Sequence, residues 1–248
     1  MLTRRRLAQG ALALAPARGW ATAQLRLGGF VVAPLLLGDE HQPIDGALPR
    51  FLRAQVAPRT GVALQFEAPM TYGRAMRSLR EGELDVMLLV SGRQAESERV
   101  ARSSWSYLRT QPTLVLRQDA PLRALASLEP LRGLGIGWNR HSAIRPEWQD
   151  LGVRWHLNSS TQWQASNLRM LAAGRFDAAL FYNEDSPRYW IRKLQLPLRL
   201  LPLPLPAVDL HMAYSRRTPR GWIDEFDRLA QAAFQGPAFR QALDSFTD

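Results

Sequence analysis

Arg77-Ser78-Leu79-Arg80-Glu81-Gly82-Glu83-Leu84-Asp85-Val86-Met87-Leu88-Leu89 is echoed later in the chain by Arg169-Met170-Leu171-Ala172-Ala173-Gly174-Arg175-Phe176-Asp177-Ala178-Ala179-Leu180-Phe181. The copies share Arg, Leu, Gly, Asp and Leu at the same offsets, with an apolar residue before each Asp. Each predicts the last turns of a helix, a glycine able to take the left-handed position after it, and a short strand. The runs Val86–Val90 and Ala178–Tyr182 lack polar alternation, as strands covered on both faces do. A helix feeding such a strand is half of a parallel α/β unit. Helix–Gly–strand junctions arise by chance in any α/β protein, but the shared offsets favour two related lobes.

The rest of the composition suits that reading. With 248 residues, 46% of them apolar, the chain can build one large domain or two small ones. No apolar run approaches the roughly 18–20 residues that span a bilayer. Cysteine is absent, which removes disulfides, thiol nucleophiles and thiolate metal sites. The formal charge is +10, yet Arg4, Arg5, Arg6 and Arg18 crowd the first 23 residues. Elsewhere arginines alternate with acids, as in Arg80-Glu81-Gly82-Glu83, and no basic run interleaved with aromatics appears. Nucleic acid is therefore not the expected partner.

Residues 1–23 run from a charged start (Thr3-Arg4-Arg5-Arg6-Leu7) through an Ala/Leu-rich stretch to Ala21-Thr22-Ala23. Charged, apolar, then small is the order of an export signal, and the paired arginines resemble the twin-arginine type. The alternative is a basic helix that stays attached. Export predicts cleavage near Ala23 and a periplasmic mature protein.

Downstream, Leu25–Phe30 predicts a first strand, residues 46–59 a helix, Val62–Phe66 a second strand, and residues 71–81 a helix leading into the first junction. This β-α-β-α-β order builds a small parallel sheet. Thr113–Leu116 predicts a strand and Leu128–Gly137 a short turn feeding another. Thr161 is placed to cap a helix running to the second junction. The prolines of Leu196–Pro206 forbid a helix, so that stretch reads as extended connecting chain. His211–Tyr214 predicts a last strand. Trp222, Ile223, Phe226, Leu229 and Ala230 then form a helical stripe, and Pro237 opens a final helix.

With these elements in order, residues 24–248 resemble the extracytoplasmic solute-binding proteins that deliver amino acids to ABC importers. The resemblance rests on the two junctions, on Leu128-x-x-Leu-Arg-Gly-Leu-Gly-Ile-Gly137, and on Ala213-Tyr214-Ser215-Arg216-Arg217-Thr218-Pro219 before an amphipathic helix. It implies a type II periplasmic-binding fold: two α/β lobes, each a small mixed sheet flanked by helices, joined by two crossings. The lobes would be 24–112 with 207–248, and 113–206, with crossings near Thr110–Arg117 and Pro202–His211. It also implies a monomer that closes on a small-molecule ligand and docks on a membrane permease, with no cofactor.

The resemblance further implies a substrate carboxylate gripped by an arginine in the segment after the first junction. Arg99 best matches that pattern and Arg93 is second, the guanidinium fork suiting a carboxylate; either is otherwise a solvated partner of Glu96 or Glu98. Tyr72 is placed as a stacking wall or an ordinary helix-start residue, and Ser91 as a hydroxyl donor or a turn cap. In the second lobe, Asn139-Arg140-His141-Ser142 keeps only the hydroxyl of Ser142. Where amino-acid binders place an acid for the α-ammonium, this sequence has Tyr182, with Asn183, Glu184 and Asp185 following. Either Glu184 takes that role or the ligand has no α-ammonium.

Enzymatic readings are weaker. His41, His141, His156 and His211 show no metal-ligand spacing, no Gly-x-Ser-x-Gly elbow occurs, and Gly133-x-Gly135-x-Gly137 is not a dinucleotide fingerprint. A periplasmic lyase on this scaffold, using acid pairs such as Glu184-Asp185, and a sensor module without transport are the alternatives.

Overall fold

The computed structural model describes residues 23–140, 142 and 144–247; residues 1–22 of the expected export signal, and His141, lie outside them. In chain order the elements are β1 (Gln24–Gly28), α1 (Ala47–Gln55), β2 (Ala63–Phe66), α2 (Tyr72–Glu81), β3 (Val86–Ser91), α3 (Gly92–Glu98), β4 (Ala101–Arg102) and β5 (Leu108–Thr110). There follow β6 (Thr113–Arg117), β7 (Gly135–Asn139), β8 (Arg154–Asn158), α4 (Trp163–Ala172), β9 (Ala178–Phe181), α5 (Asp185–Leu194) and β10 (Leu198–Pro202). The chain ends with β11 (Val208–Tyr214), α6 (Arg220–Phe234) and α7 (Ala238–Thr247).

These elements form two mixed sheets, one to a lobe. In the first lobe the order is β2-β1-β3-β11-β4, with β5 also paired to β11. In the second it is β10-β6-β9-β7-β8. The plan is the same in both. β1 lies between β2 and β3 and parallel to each, as β7 lies between β8 and β9. An antiparallel strand that arrives by a crossing then adds beyond the third strand: β11 on β3, β6 on β9. The crossing segments touch, for Gln111 Nε2 donates to the carbonyls of Leu203 and Leu205 at 2.9 and 3.0 Å.

Local chemistry sets the elements. α2 buries Tyr72, Ala75, Met76 and Leu79, the i, i+3, i+4, i+7 stripe of an amphipathic helix, and Thr71 Oγ1 accepts from Arg74 N at its start. It stops at Gly82, which is left-handed at φ 74°. In the second lobe Gly174 is left-handed at φ 70° just after α4. Gly137 serves differently. A Cβ there would sit 2.6 Å from the Phe176 ring, so glycine lets that ring cover β7. Each lobe has its own core, around Leu25, Leu27, Val86 and Phe226 in the first and Ile136, Leu168, Leu180 and Phe181 in the second.

Two sequence expectations are revised. Thr161 does not cap α4; Gln162 holds that position without a side-chain bond, and Trp163 N donates to Ser160 O in the preceding turn. Leu198–Pro202, expected as connecting chain, forms β10. It lies at the sheet edge, where Pro202 ends the strand and the ladder to β6 needs only one side of the backbone.

Candidate binding cleft

A cavity of about 430 Å³ opens between the lobes, within the range of small-molecule sites. Both walls are made by matching parts. The ten-residue helices α2 and α4 begin with Tyr72 and Trp163, and both rings line the cavity. The ends of β3 and β9 contribute Leu89 and Ser91 on one side, Phe181 and the following Tyr182 and Asn183 on the other. Ligands of parallel sheets gather at such C-terminal strand ends.

The apolar lining is aromatic. Phe30 meets Tyr72 edge-on at 5.4 Å, Trp138 meets Trp163 edge-on at 5.4 Å, and Trp163 stacks on Phe181 at 5.6 Å. The Tyr72 hydroxyl donates to Glu98 Oε1 at 3.4 Å, and burial, with Glu98 adding to it, pushes that phenol up.

Of the residues singled out from sequence, Tyr72, Ser91, Arg93, Ser142 and Tyr182 line the cavity. Ser91 does so while capping α3: its Oγ accepts from Gln94 N at 3.2 Å, and Gln94 Oε1 accepts from Ser91 N at 2.9 Å. Tyr182 is a seat for a cation. Its hydroxyl accepts from Trp148 Nε1 at 3.1 Å, while the Arg145 guanidinium lies 4.0 Å over its ring. Burial pushes the Tyr182 phenol up, against the pull of Arg145 and Trp148.

Arg99 and Glu184 are not among the lining residues. Arg99 follows the short α3 in a left-handed conformation at φ 54°, exposed, with its carbonyl accepting from Arg216. Glu184 turns along α5 to pair with Arg188 at 2.9 Å.

Sequence reading missed Arg145, Gln164, Trp138 and Trp163, all of which line the cavity. A signal for Trp163 lay in its place at the start of the helix of the second junction, although the residue at the offset of Tyr72 from its Asp is Gln164. Arg145 carried no such signal; it precedes Pro146 and a 3-10 turn, Pro146–Leu151, and its side chain is only 15% exposed. Its Nη1 donates to Glu147 Oε1 at 3.4 Å, and Glu147 Oε2 lies 3.9 Å from Arg93 Nη1 in the other lobe.

The lobes meet at further points beside the cavity. Ala33 N donates to Gln164 Oε1 at 3.1 Å, Ser186 Oγ donates to Ala33 O, and Gln162 Nε2 donates to Gly38 O at 3.1 Å. Ala33, from the loop after β1, is packed in the core of the second lobe. Among the described residues no cluster of three or more His, Cys, Asp or Glu is placed to hold a metal, and no helix is long and apolar enough to cross a membrane.

No family profile matches the chain, and no curated protein does. Solved structures do match in fold. An ancestral arginine-binding protein bound to arginine aligns with a TM-score of 0.72 at 16% identity, over 91% of this chain and 99% of that one. A substrate-binding protein of an amino acid ABC transporter gives 0.72 at 14% identity, over 90% and 99%. The periplasmic VFT2 domain of Bordetella pertussis BvgS gives 0.72 at 20% identity, over 90% and 92%. The chain thus has the two-lobed type II periplasmic-binding architecture.

Proposed function

We propose that this protein is an exported solute-binding protein that holds a small carboxylate-bearing solute between its lobes and offers the closed complex to the permease of an ABC importer. The observation that carries the reading is a cavity walled by both lobes, with one guanidinium from each, Arg93 and Arg145, among its lining residues. The lobes of this reading are residues 24–112 with 207–248, and residues 113–206. Arg145 is the better placed to grip a carboxylate: it is mostly buried, with its guanidinium carbon 4.0 Å over the Tyr182 ring. Arg93, exposed over 65% of its side chain, supports it from the facing lobe.

One charge-assisted hydrogen bond nets about 1.5–3 kcal/mol, whereas micromolar affinity needs about 8 kcal/mol. Capture therefore requires both walls, and hinge closure brings them together. The fold likeness to a histidine kinase sensor domain, with a TM-score of 0.71 at 19% identity, favours a second reading, in which the same capture feeds a sensor.

The test is a thermal-shift screen of the purified chain against amino acids and organic acids, with each mixture checked for new products. Stabilisation should saturate with ligand, reaching about 2.7 kcal/mol at a hundredfold excess over the dissociation constant, and the ligand should be recovered unchanged. Turnover, or no saturable stabilisation by any carboxylate, contradicts the reading. Loss of uptake of the identified solute in cells lacking the protein separates transport from sensing.

A further inference from the structure

Resting on the carboxylate capture just proposed, we infer that the cleft is built for an anion with an aromatic body and no ammonium group. The reason is the direction of the hydrogen bonds its side chains already make. Gln164 lines the cavity, and its amide oxygen accepts from Ala33 N at 3.1 Å and Trp190 Nε1 at 3.4 Å. Both partners can only donate, so the orientation of that amide is settled and its NH2 is the group left for a ligand. Asn183 is in the same position: its Oδ1 accepts from Ser186 N at 2.7 Å, which leaves its NH2. From the facing lobe, Gln94 Oε1 accepts from Ser91 N and Ser91 Oγ accepts from Gln94 N, so the donors of both side chains face the cleft uncommitted. An NH2 and a hydroxyl proton remain. Arg93 and Arg145 add donors only.

Acceptors are scarce on the same walls. Glu98 is the carboxylate of the lining, and it is engaged by Arg80 and by the Tyr72 hydroxyl. Glu184, the acid nearest in sequence to Tyr182, is turned away to Arg188. The hydroxyls of Ser97 and Ser142 serve either way. An ammonium carries three donors and no acceptor. Placed here it meets two guanidinium groups and several amide NH2 groups, while the carboxylates beside them among the described residues, Glu98 and Glu147, are already engaged by Arg80, Arg93 and Arg145. A carboxylate is the complement, because it accepts at two oxygens. The rest of the wall, Phe30, Tyr72, Trp138, Trp163 and Phe181, offers ring edges and faces, which suit a flat apolar body.

The test compares three acids by calorimetric titration of the mature chain: 3-phenylpropionate, L-phenylalanine, which adds only the α-ammonium, and hexanoate, which lacks the ring. We expect 3-phenylpropionate to bind at least about 10-fold tighter than either of the others. Two variants sharpen the result. Asn183→Asp keeps an oxygen for Ser186 N, and Gln94→Glu keeps the capping box of α3; each replaces a donor by an acceptor. Each should weaken 3-phenylpropionate by about 10-fold and narrow its advantage over phenylalanine. Phenylalanine binding as tightly as 3-phenylpropionate, or variants that leave the ratio unchanged, overturns the donor-rich cleft while solute capture stands. Hexanoate binding more tightly than 3-phenylpropionate overturns the aromatic body. Absence of binding by 3-phenylpropionate overturns this inference, and absence of saturable stabilisation across the whole carboxylate screen overturns the proposed function with it.

Discussion

The aspartates of the two repeated junctions, Asp85 and Asp177, make the same bond in different surroundings. Asp85 Oδ2 accepts from Arg26 N at 2.8 Å and Asp85 N donates to Arg26 O at 2.9 Å, which clips β3 to β1. Asp177 Oδ2 accepts from Gly135 N at 2.7 Å and Asp177 N donates to Gly135 O at 2.9 Å, which clips β9 to the start of β7. The repeat in the sequence is thus a repeat in backbone chemistry: an acid at the head of the third strand satisfies an amide of its parallel neighbour. Beyond that bond the two sites part. Asp85 has only 8% of its side chain exposed and also accepts from Arg26 Nε at 3.1 Å and Thr218 Oγ1 at 2.6 Å. Asp177 is 45% exposed, with Arg154 3.8 Å away. The shared bond registers the strands; the unshared one from Thr218 ties β3 to the returning chain after β11. The difference teaches that one motif can be purely local in one lobe and long-range in the other.

Substitution should separate the two roles. Asp85→Ala strips four donors of their acceptor and should cost about 3 kcal/mol, near the low end for a broken buried pair because Arg26 is a third exposed. Asp177→Ala should cost about 1 kcal/mol. Equal losses in urea unfolding would erase the distinction. The same pair has a pH signature. Burial works to raise the Asp85 pKa, but the bonds from Arg26 and Thr218 outweigh it and hold the carboxyl below its ordinary value. Its stabilisation is therefore complete above the unfolded pKa of about 3.9 and fades as pH falls through the lower folded value. Asp85→Asn should flatten the acid limb of the stability profile; a limb as steep as in the unaltered chain contradicts this.

The glycines of the two junctions test the likeness at smaller scale. Gly82 and Gly174 are both left-handed, so alanine at either should cost about 1–2 kcal/mol. A Cβ at Gly82 also meets the Arg217 side chain at 2.9 Å, whereas nothing lies within 4 Å at Gly174. The nearest atom is Arg217 Cβ, which the backbone fixes, so Gly82→Ala should exceed Gly174→Ala by about 1 kcal/mol or more. A Gly174→Ala variant as stable as the unaltered chain would break the parallel.

What could be read in the sequence follows from the same contrast. Periodicity and glycine placement revealed the junctions, the helices α2 and α6 and the strands beside them, because those signals are local. The edge strand β10 stayed hidden behind its prolines, since pairing on one side depends on where in the sheet the segment falls. For the cleft, Tyr72, Ser91, Arg93, Ser142 and Tyr182 were found through chain position relative to the junctions. Arg145 and Gln164 were not, because their places in the lining come from partners far along the chain: Gln164 is oriented by Ala33, and Arg145 is seated on Tyr182. Arg99 falls outside the lining for a local reason, the helix α3 that runs through the segment and ends just before it.

The central claim is that two lobes of one plan share a single guest, neither holding it alone. Trp138 and Trp163 line the cavity, so their fluorescence can report occupancy in a titration with the best carboxylate of the screen. Gln94→Ala removes a donor of the first lobe and Asn183→Ala one of the second. Each should weaken binding by about 10-fold. A variant in either lobe that binds as tightly as the unaltered chain would contradict capture by both.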